Sequence, residues 1–446
     1  MNASAAPVSA DDPAARVRAL AGRPLFRVYG RVSRIVGHEL EIRGLRTRVG
    51  DAIAIHSDRG GRLGEIVAVG AEGARALVLG DTTGLGRGDR VSILAEGPLI
   101  AVSPGLAGRV LDGTGRPMDG RPLPEDTELV PLHVGVPDPM ARQRITEPLP
   151  VGVRLIDGLC TVGRGQRVGI FGGSGVGKST LLGMIARGTA ADVAVLALVG
   201  ERGREVRDFI EDDLGPEGLG RCVVVVATSD EPPLVRLRAA FVATRIAEWF
   251  ADGGRDVLLM FDSLTRLAMA QRDVGLAAGE PPTARGYTPS VFSLLPRLLE
   301  RAGPRARGTI TGIYTVLVEG DDMENDPIAD ATRSILDGHL VLSRRLAEAQ
   351  RYPALDPLSS LSRLAPRVTT SEQRAHAAAV RAALAAVEEV RDMVEVGAYV
   401  PGTDPLADRG LAAQAAITEF LKQDVHETAP FEETLARLAA LAEMVA

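Results

Sequence analysis

A glycine-rich segment between a predicted strand and a predicted helix is the feature that most constrains this chain. Residues 172–179 read Gly-Gly-Ser-Gly-Val-Gly-Lys-Ser, which fits the pattern G-x-x-x-x-G-K-[ST]. An apolar run at 167–171 precedes the segment, and a helical stretch at 180–187 follows it. Glycines let the backbone turn its N–H groups toward an anion, and a helix N-terminus adds positive partial charge. The segment therefore predicts a phosphate-binding loop at the edge of a parallel sheet.

Two side chains of this loop are expected to carry its chemistry. Lys178 would reach the β and γ phosphates of a nucleotide, and the Ser179 hydroxyl would ligate Mg²⁺. The chain has only two lysines, at 178 and 422, among 51 basic residues. A compact ammonium fits among phosphate oxygens better than a guanidinium fork does. The predicted nucleotide-binding residues of the loop are Gly173, Ser174, Gly175, Val176, Gly177, Lys178, Ser179 and Thr180.

Two carboxylates follow other apolar runs of the predicted sheet. Asp262 ends the run at 257–261 and is the candidate that holds the water shell of Mg²⁺. Read alone, an aspartate in this place is more often a strand-end cap, but a neighbouring phosphate loop favours the metal role. Glu201 follows the run at 193–199 and is the candidate general base, because parallel strands present their carboxyl ends at one edge. On pattern alone, a solvated charge cluster fits Glu201 equally well.

Composition excludes several other classes of protein. The formal net charge is −7, and aromatic residues are only 3% of the chain, which leaves little material for a base-stacking nucleic-acid platform. The two cysteines, at 160 and 222, supply neither a disulfide framework nor a zinc motif, so a reducing compartment is expected. No apolar run approaches the roughly 18 residues that span a bilayer, and no secretory signal is recognisable. We therefore expect a soluble, unsecreted protein.

The residue pattern changes three times along the chain and predicts a multidomain fold. An N-terminal extension at 1–24 precedes short β-like runs at 25–99, which begin with a strand at 26–29 and predict a small β-barrel. Apolar strands alternate with helices over 100–365, as in a mostly parallel α/β domain. Residues 366–446 predict a C-terminal α-helical domain.

The predicted helices of the C-terminal domain follow from caps and periodicity. A capping box at 370–373 opens a helix that runs to about residue 395, and helical stretches follow at 407–422 and 431–444. This domain carries 7 basic and 13 acidic residues, a net charge of −6, which argues against nucleic acid there.

Longer segments resemble a known superfamily. The residues at 198–206 (Leu-Val-Gly-Glu-Arg-Gly-Arg-Glu-Val), the phosphate loop, and 352–363 (Tyr-Pro-Ala-Leu-Asp-Pro-Leu-Ser-Ser-Leu-Ser-Arg) resemble catalytic subunits of rotary ATP synthases and their relatives. Within that superfamily, the chain is most similar to type III protein-export ATPases, above all the flagellum-specific ones. The segments that carry this closer resemblance are 227–233, 295–302, 318–323, 326–330 and 333–344. The resemblance covers nearly the whole chain and implies a central RecA-like P-loop ATPase domain.

The resemblance also implies residue roles, with ATP and Mg²⁺ as substrate and cofactor. Glu201 matches the catalytic glutamate, and Arg202 falls on a residue that contacts the γ-phosphate. Lys178 also counts as a catalytic residue. Tyr352 matches the aromatic residue that stacks on adenine. Arg363 corresponds to an arginine finger given to the neighbouring subunit. Tyr399 is a candidate for the other side of the adenine pocket, although a packing residue at a helix end fits the same pattern.

The partners and location are likewise implied by the resemblance. The implied partners are further copies of the chain in a homohexamer, a stator-like regulator at the N-terminal region, and a central stalk protein in the ring pore. The loop at 279–289 would face that pore. Export chaperones and substrates would dock at the C-terminal domain, and a membrane export gate would receive the cargo, with no nucleic acid involved. The protein would be cytoplasmic and peripheral at the inner face of the cell membrane. One departure from relatives lies next to Tyr352, where Gln350 and Arg351 replace a pair that is more often Gly-His.

The expected function is Mg-dependent ATP hydrolysis that powers flagellar type III export by releasing and unfolding chaperone-bound substrates. The alternative is the ATPase of a virulence injectisome. A rotary synthase catalytic subunit, a hexameric RNA translocase and a nucleotide-binding scaffold without turnover rank lower. Residues 1–100 carry a net charge of only +3 and two aromatic residues, Phe26 and Tyr29, which is little for RNA binding.

Overall fold

We describe the chain from a computed structural model, in which residues 28–94, 97–319 and 323–446 are described. The predicted N-terminal extension, and residues 26–27 of the first predicted strand, lie outside these ranges. The chain divides into two compact units, one ending at Gly97 and one beginning at Pro98, and each is described by itself. The domain limits drawn from the sequence stay predictions.

The first unit contains a closed antiparallel barrel with the strand order β1-β2-β5-β4-β3-β6. Its core is aliphatic, and Leu40, Ile53, Ile55 and Ile66 are fully buried in it. The strands are β1 Gly30–Val36, β2 Glu39–Arg43, β3 Ala52–Ser57, β4 Gly60–Gly70, β5 Gly73–Leu79 and β6 Arg90–Ile93.

The first barrel strand begins later than the sequence pattern predicts. Val28 and Tyr29 are exposed and form no strand, and pairing with β6 ends where Gly30 meets Val91. The alternation of buried and exposed residues starts at Gly30, and Val32 is the first buried side chain of the strand. The prediction of a strand over residues 28–29 is therefore wrong, because these apolar side chains lie beyond the pairing partner and find no core to enter.

The second unit is built on a large, mostly parallel sheet with the order β17-β16-β10-β15-β13-β11-β12-β8. Among the described strands of this sheet, only the end strand β17 and the short β14, which pairs with β15, run antiparallel. Strands β7 and β9 form a separate antiparallel pair. The strands are β7 Leu99–Val102, β8 Arg109–Asp112, β9 Glu128–Pro131, β10 Arg167–Gly172, β11 Val193–Glu201, β12 Cys222–Thr228, β13 Asp256–Asp262, β14 Gly303–Pro304, β15 Thr309–Leu317, β16 Gly338–Val341 and β17 Leu361–Ser362.

Helices connect the strands of this sheet, and a single π-type turn at Phe209–Leu214 interrupts one connection. Continuous burial along β11 and β13 matches the apolar runs of the sequence and is typical of strands covered on both faces. The helices are α1 Arg154–Leu159, α2 Lys178–Gly188, α3 Gly203–Asp208, α4 Gly215–Gly220, α5 Pro233–Asp252, α6 Leu264–Ala278, α7 Pro289–Leu299, α8 Pro327–Ile335, α9 Arg344–Glu348 and α10 Ala365–Val368.

The C-terminal part of this unit is helical, with α11 Ser371–Glu395, α12 Pro405–Ala412, α13 Gln414–Leu421 and α14 Phe431–Val445. Thr370 caps α11 through the backbone N–H of Gln373, as the capping box predicts. The helical stretch predicted at 407–422 is instead two helices. Gly410 of α12 packs directly against α11, whereas Phe420 of α13 packs at Gly158 of α1, so the two helices have different packing partners.

No helix within the described residues is long and apolar enough to cross a membrane.

Candidate active site

A cavity of about 410 Å³ lies where the carboxyl ends of several parallel strands meet. Strand β10 leads into the glycine-rich loop, β11 ends at Glu201 and β13 ends at Asp262. Leu198 of β11 is in register with Asp262 of β13, which aligns the two strand ends. The predicted residues that line the cavity are Ser174, Gly175, Gly177, Lys178, Ser179, Thr180, Glu201, Arg202 and Asp262.

The glycine-rich loop has the conformation that an anion-binding loop needs. Gly175 and Gly177 have φ angles of +77° and +95°, a region that side chains other than glycine rarely adopt. Lys178 is the first residue of α2, and its ammonium donates to the carbonyl oxygens of Gly172, at 3.1 Å, and of Gly173. Val176 is buried beneath the loop, so it anchors the backbone and does not line the cavity.

Asp262 is a buried carboxylate whose two oxygens have different partners. Its Oδ1 accepts a 2.6 Å hydrogen bond from the Thr315 hydroxyl, and its Oδ2 accepts one of 3.3 Å from Ser179 Oγ. Burial raises the pKa of Asp262, and the hydrogen bond from Thr315 and the charge of Lys178 oppose that shift. The Ser179 hydroxyl and this carboxylate bring together the hard oxygen donors that suit Mg²⁺.

Glu201 has the protonation behaviour expected of a general base. Burial first, and then the charge of Asp262, raise the pKa of Glu201 to about 7, while the charge and hydrogen bond of Arg266 oppose the shift. Arg266 Nε donates to Glu201 Oε1 at 2.9 Å. A base with a pKa near the operating pH combines a usable ionised fraction with enough proton affinity.

Arg266 and Thr315 belong to this site, and the sequence reasoning missed both. Arg266 lies in the first turn of α6, four residues after Asp262, where one helical turn brings it over the end of β11. Gly200 permits this approach, since its φ is +75° and a Cβ there would lie 2.8 Å from Arg266 Cδ. The arginine four residues after the strand-end aspartate was the available signal for Arg266.

The rim of the cavity is charged. Arg202 lines the cavity but its side chain is 72% exposed and forms a 3.0 Å ion pair with Glu205. Because an exposed ion pair contributes little stability, Arg202 can leave Glu205 for a ligand at little cost. Asp213 also lines the cavity. Burial raises the pKa of Asp213, and a hydrogen bond from Thr180 opposes this larger effect.

Besides Val176, the loop residue Gly173 is not among the residues that line this cavity. Three predicted residues from other segments also lie outside the lining. Tyr352 is 40% exposed, and its carbonyl oxygen accepts from the backbone N–H of Gln423. Arg363 is exposed and donates to the carbonyl oxygen of Arg333 at 3.3 Å.

Tyr399 is the third predicted residue from outside the glycine-rich loop that does not line the cavity. It packs with α11 and α12 and donates to Asp408 Oδ1 at 2.8 Å. The nucleotide roles of Tyr352, Arg363 and Tyr399 stay predictions.

Together, the glycine-rich loop, the sheet edge and the carboxylates of Glu201 and Asp262 define a P-loop nucleotide-binding protein. Family models agree: the nucleotide-binding domain of the ATP synthase alpha/beta family matches residues 152–362, and the β-barrel domain of the same family matches 32–94. A model described as the T3SS EscN ATPase C-terminal domain matches 369–440.

Individual relatives narrow the family further. The flagellum-specific ATP synthase of Bacillus subtilis is 48% identical, over 93% of this chain and 95% of its own. The type 3 secretion system ATPase of Xanthomonas euvesicatoria is also 48% identical, over 96% and 97%. The chain belongs to the ATP synthase alpha/beta family, within its group of flagellar and type III secretion ATPases.

Solved structures give the same result for the fold. The assembled ATPase EscN from the enteropathogenic E. coli type III secretion system matches with a TM-score of 0.88 at 45% identity, over 93% of this chain and all of the other. EscN in complex with its central stalk EscO matches with a TM-score of 0.86. The predicted fold class, a β-barrel, a RecA-like α/β domain and a helical C-terminal domain, is confirmed.

Proposed function

We propose that this chain hydrolyses ATP with Mg²⁺ and thereby powers type III protein export, with the flagellar system as the main assignment. The observation that carries the proposal is the juxtaposition of Lys178, Ser179, Asp262 and Glu201 in one cavity at the sheet edge. Membership of the ATPase group, at 48% identity to a flagellum-specific member, supports the same reaction.

The residues of the site divide the work of hydrolysis. Lys178 and the backbone of the glycine-rich loop would hold the β and γ phosphates, and Ser179 and Asp262 would hold Mg²⁺ and its water shell. Bound Mg²⁺ would neutralise the charge that develops on the phosphate oxygens. The pair Ser179–Asp262 fits such an ion, because both side chains offer oxygen atoms and lie 3.3 Å apart.

Glu201 orients and deprotonates the attacking water. Arg266 occupies Oε1 of this carboxylate, so we assign Oε2 as the atom that accepts the proton from the water. Arg202, at the rim, would turn from Glu205 to the γ-phosphate when ATP enters. Fixed positive groups around the phosphates stabilise the transition state most when water is excluded.

Arg363 would complete the site of a neighbouring copy in a homohexamer. It is exposed and lies outside the cavity of its own chain, which suits a residue that acts on a partner. EscN has been solved as an assembled ATPase and with a central stalk, and we infer an equivalent ring and stalk for this chain. The loop at 279–289 would face the stalk.

The remaining partners follow from the same family membership. We infer docking of export chaperones and substrates at residues 366–446, a stator-like regulator at the N-terminal extension, and delivery to a membrane export gate. The protein would then work in the cytoplasm, peripheral to the membrane, without nucleic acid. An injectisome role is the second candidate, because a type 3 secretion system ATPase is as similar, at 48% identity, as the flagellar relative.

Phosphate release from ATP by the purified chain tests this proposal. We expect Mg²⁺-dependent turnover that Lys178→Ala abolishes and that Lys422→Ala, a change of the one other lysine at an exposed position, leaves intact. ATP hydrolysis that requires added RNA would favour an RNA translocase. Absence of ATP hydrolysis by the assembled protein would favour a nucleotide-binding scaffold. Export assays in a deletion strain of the source organism, for flagellar and for injectisome substrates, separate the two export systems.

A further inference from the structure

A second cavity, separate from the active site, lies between the segment after α9 and the C-terminal helices. Its volume is about 180 Å³. That is well above the space of a single water and below the 300 Å³ or more of typical organic ligand pockets. The polar side chains that line it are Arg345, Arg351, Asp356, Glu388, Arg391, Gln414 and Thr418.

Most of the charged groups in this cavity already have partners. Glu388 Oε1 accepts from Arg345 Nη2 at 3.2 Å and from Arg391 Nη1 at 2.5 Å. The Asp356 carboxylate accepts from the backbone N–H groups of residues 358 and 359 and from the Ser359 hydroxyl, so it is used within its own turn. Arg391 also pairs with Asp392 at 3.4 Å and with Glu395 at 3.8 Å. Arg345 and Arg391 are therefore both in ion pairs with carboxylates.

Arg351 is the exception. Its Nη2 atom is buried and has no hydrogen-bond partner among the described residues. Burial lowers the pKa of this guanidinium, and the nearby charge of Arg345 lowers it further while that of Asp356 raises it. Arginine stays protonated in proteins, so its buried N–H groups need acceptors, and a buried donor without one is costly.

The backbone directs this side chain into the cavity. Gln350 adopts a φ of +54°, and the Arg351 N–H donates to the Leu346 carbonyl oxygen at 2.9 Å, which closes the turn after α9. Arg391, across the cavity, is on α11. The unpartnered donor thus lies where two parts of the second unit meet.

We propose that this cavity binds a small oxyanion of the phosphate class, with Arg351 as its main ligand and Arg391 as a second. Such an ion supplies several acceptor oxygens, which satisfy the buried Arg351 donor. The cavity is too small for a nucleotide, so inorganic phosphate is the ligand of suitable size and charge. The bound ion would tie the segment that leads to Tyr352 to the C-terminal helices.

Calorimetric titration of the full chain with inorganic phosphate tests the proposal. The active site is first saturated with Mg²⁺ and a non-hydrolysable ATP analogue, so that its phosphate positions are filled, and ionic strength is held constant with chloride. We expect one saturable phosphate site per chain, to which sulfate also binds. Arg351→Gln should weaken phosphate binding at least about tenfold, since one charge-assisted hydrogen bond is lost.

Matched variants keep the outcome clear. Arg367→Gln changes an exposed arginine that does not line the cavity and should leave phosphate affinity unchanged. Arg391→Gln, on a different element, should weaken binding as Arg351→Gln does, even if the latter variant folds poorly. Absence of saturable binding by the unmodified chain, or equal affinity in the Arg391→Gln and Arg367→Gln variants, would overturn the proposal.

Discussion

Replacing Arg266 with glutamine removes the guanidinium that donates to Glu201 at 2.9 Å. An opposite charge at such a distance lowers the pKa of a carboxyl group by about 1 to 3. The side chains of Arg266 and Glu201 are 31% and 17% exposed, so solvent screening places the effect at the lower end of that range. The pKa of Glu201, about 7 with Arg266 present, should therefore rise to about 8 in the Arg266→Gln variant.

The consequence for hydrolysis follows from the ionised fraction of Glu201. With a pKa of about 7, half of the Glu201 carboxyls are ionised at pH 7. With a pKa of about 8, only about a tenth are ionised, so hydrolysis at pH 7 should fall about fivefold for this reason alone. Because the base must be deprotonated to act, raising the pH to about 9 should restore most of that loss.

The assay is steady-state phosphate release at saturating Mg-ATP across the range from weakly acidic to alkaline pH. Binding of a fluorescent ATP analogue at each pH separates nucleotide affinity from turnover. Arg272→Gln is the matched control, since Arg272 lies on the same helix but pairs with Asp273 and does not line the cavity. If the rate of phosphate release by the Arg266→Gln variant still falls to half near pH 7 as the pH is lowered, Arg266 does not lower the pKa of Glu201, and the reasoning is refuted.

Three further changes probe the supporting structure. Thr315→Val removes the 2.6 Å hydrogen bond to Asp262 and should raise the Mg²⁺ concentration for half-maximal activity about tenfold, as metal titrations of ATP hydrolysis would show. Gly200→Ala forces alanine into a φ of +75° beside Arg266, so it should destabilise the chain by about 1 to 2 kcal/mol. Thermal unfolding would measure this loss of stability, with Gly203→Ala as the control, because a Cβ at Gly203 would have open space around it. Arg363→Ala should be inactive alone yet recover activity when mixed with a phosphate-loop variant, and failure to recover would contradict a finger that acts on the neighbouring subunit.

The sequence predicts the parts of the site that follow directly from local pattern. Lys178 and Ser179 lie within one contiguous motif, and Asp262 and Glu201 each follow an apolar run, so the ends of parallel strands could be aligned without knowing the fold in detail. The structure places these side chains in one cavity.

The missed residues depend on contacts between distant segments. Thr315 reaches Asp262 only because β15 lies beside β13 in the sheet, and strand order cannot be read from either run. Arg266 reaches Glu201 because Gly200 leaves space for its side chain, a contact across 65 residues of sequence.

Short elements were missed for a related reason. The strand β8 Arg109–Asp112 has only four residues and joins the sheet through its pairing with β12. A run of that length has little periodicity of its own, and its structure is decided by its neighbours. The break at Ala413 lies between α12 and α13, which pack on different helices: Gly410 on α11 and Phe420 on α1.

The measurement that tests the central claim most directly compares ATP binding and phosphate release in the Glu201→Gln variant. The carboxamide keeps the shape of the side chain but cannot accept the proton from water at pH 7. We expect affinity for the ATP analogue within about twofold of the unmodified chain and phosphate release at least about a hundredfold slower, the contribution typical of a general base. Glu211→Gln, a change of an exposed carboxylate paired with Arg207 outside the cavity, should keep full turnover. Phosphate release by Glu201→Gln at the rate of the unmodified chain would contradict the account.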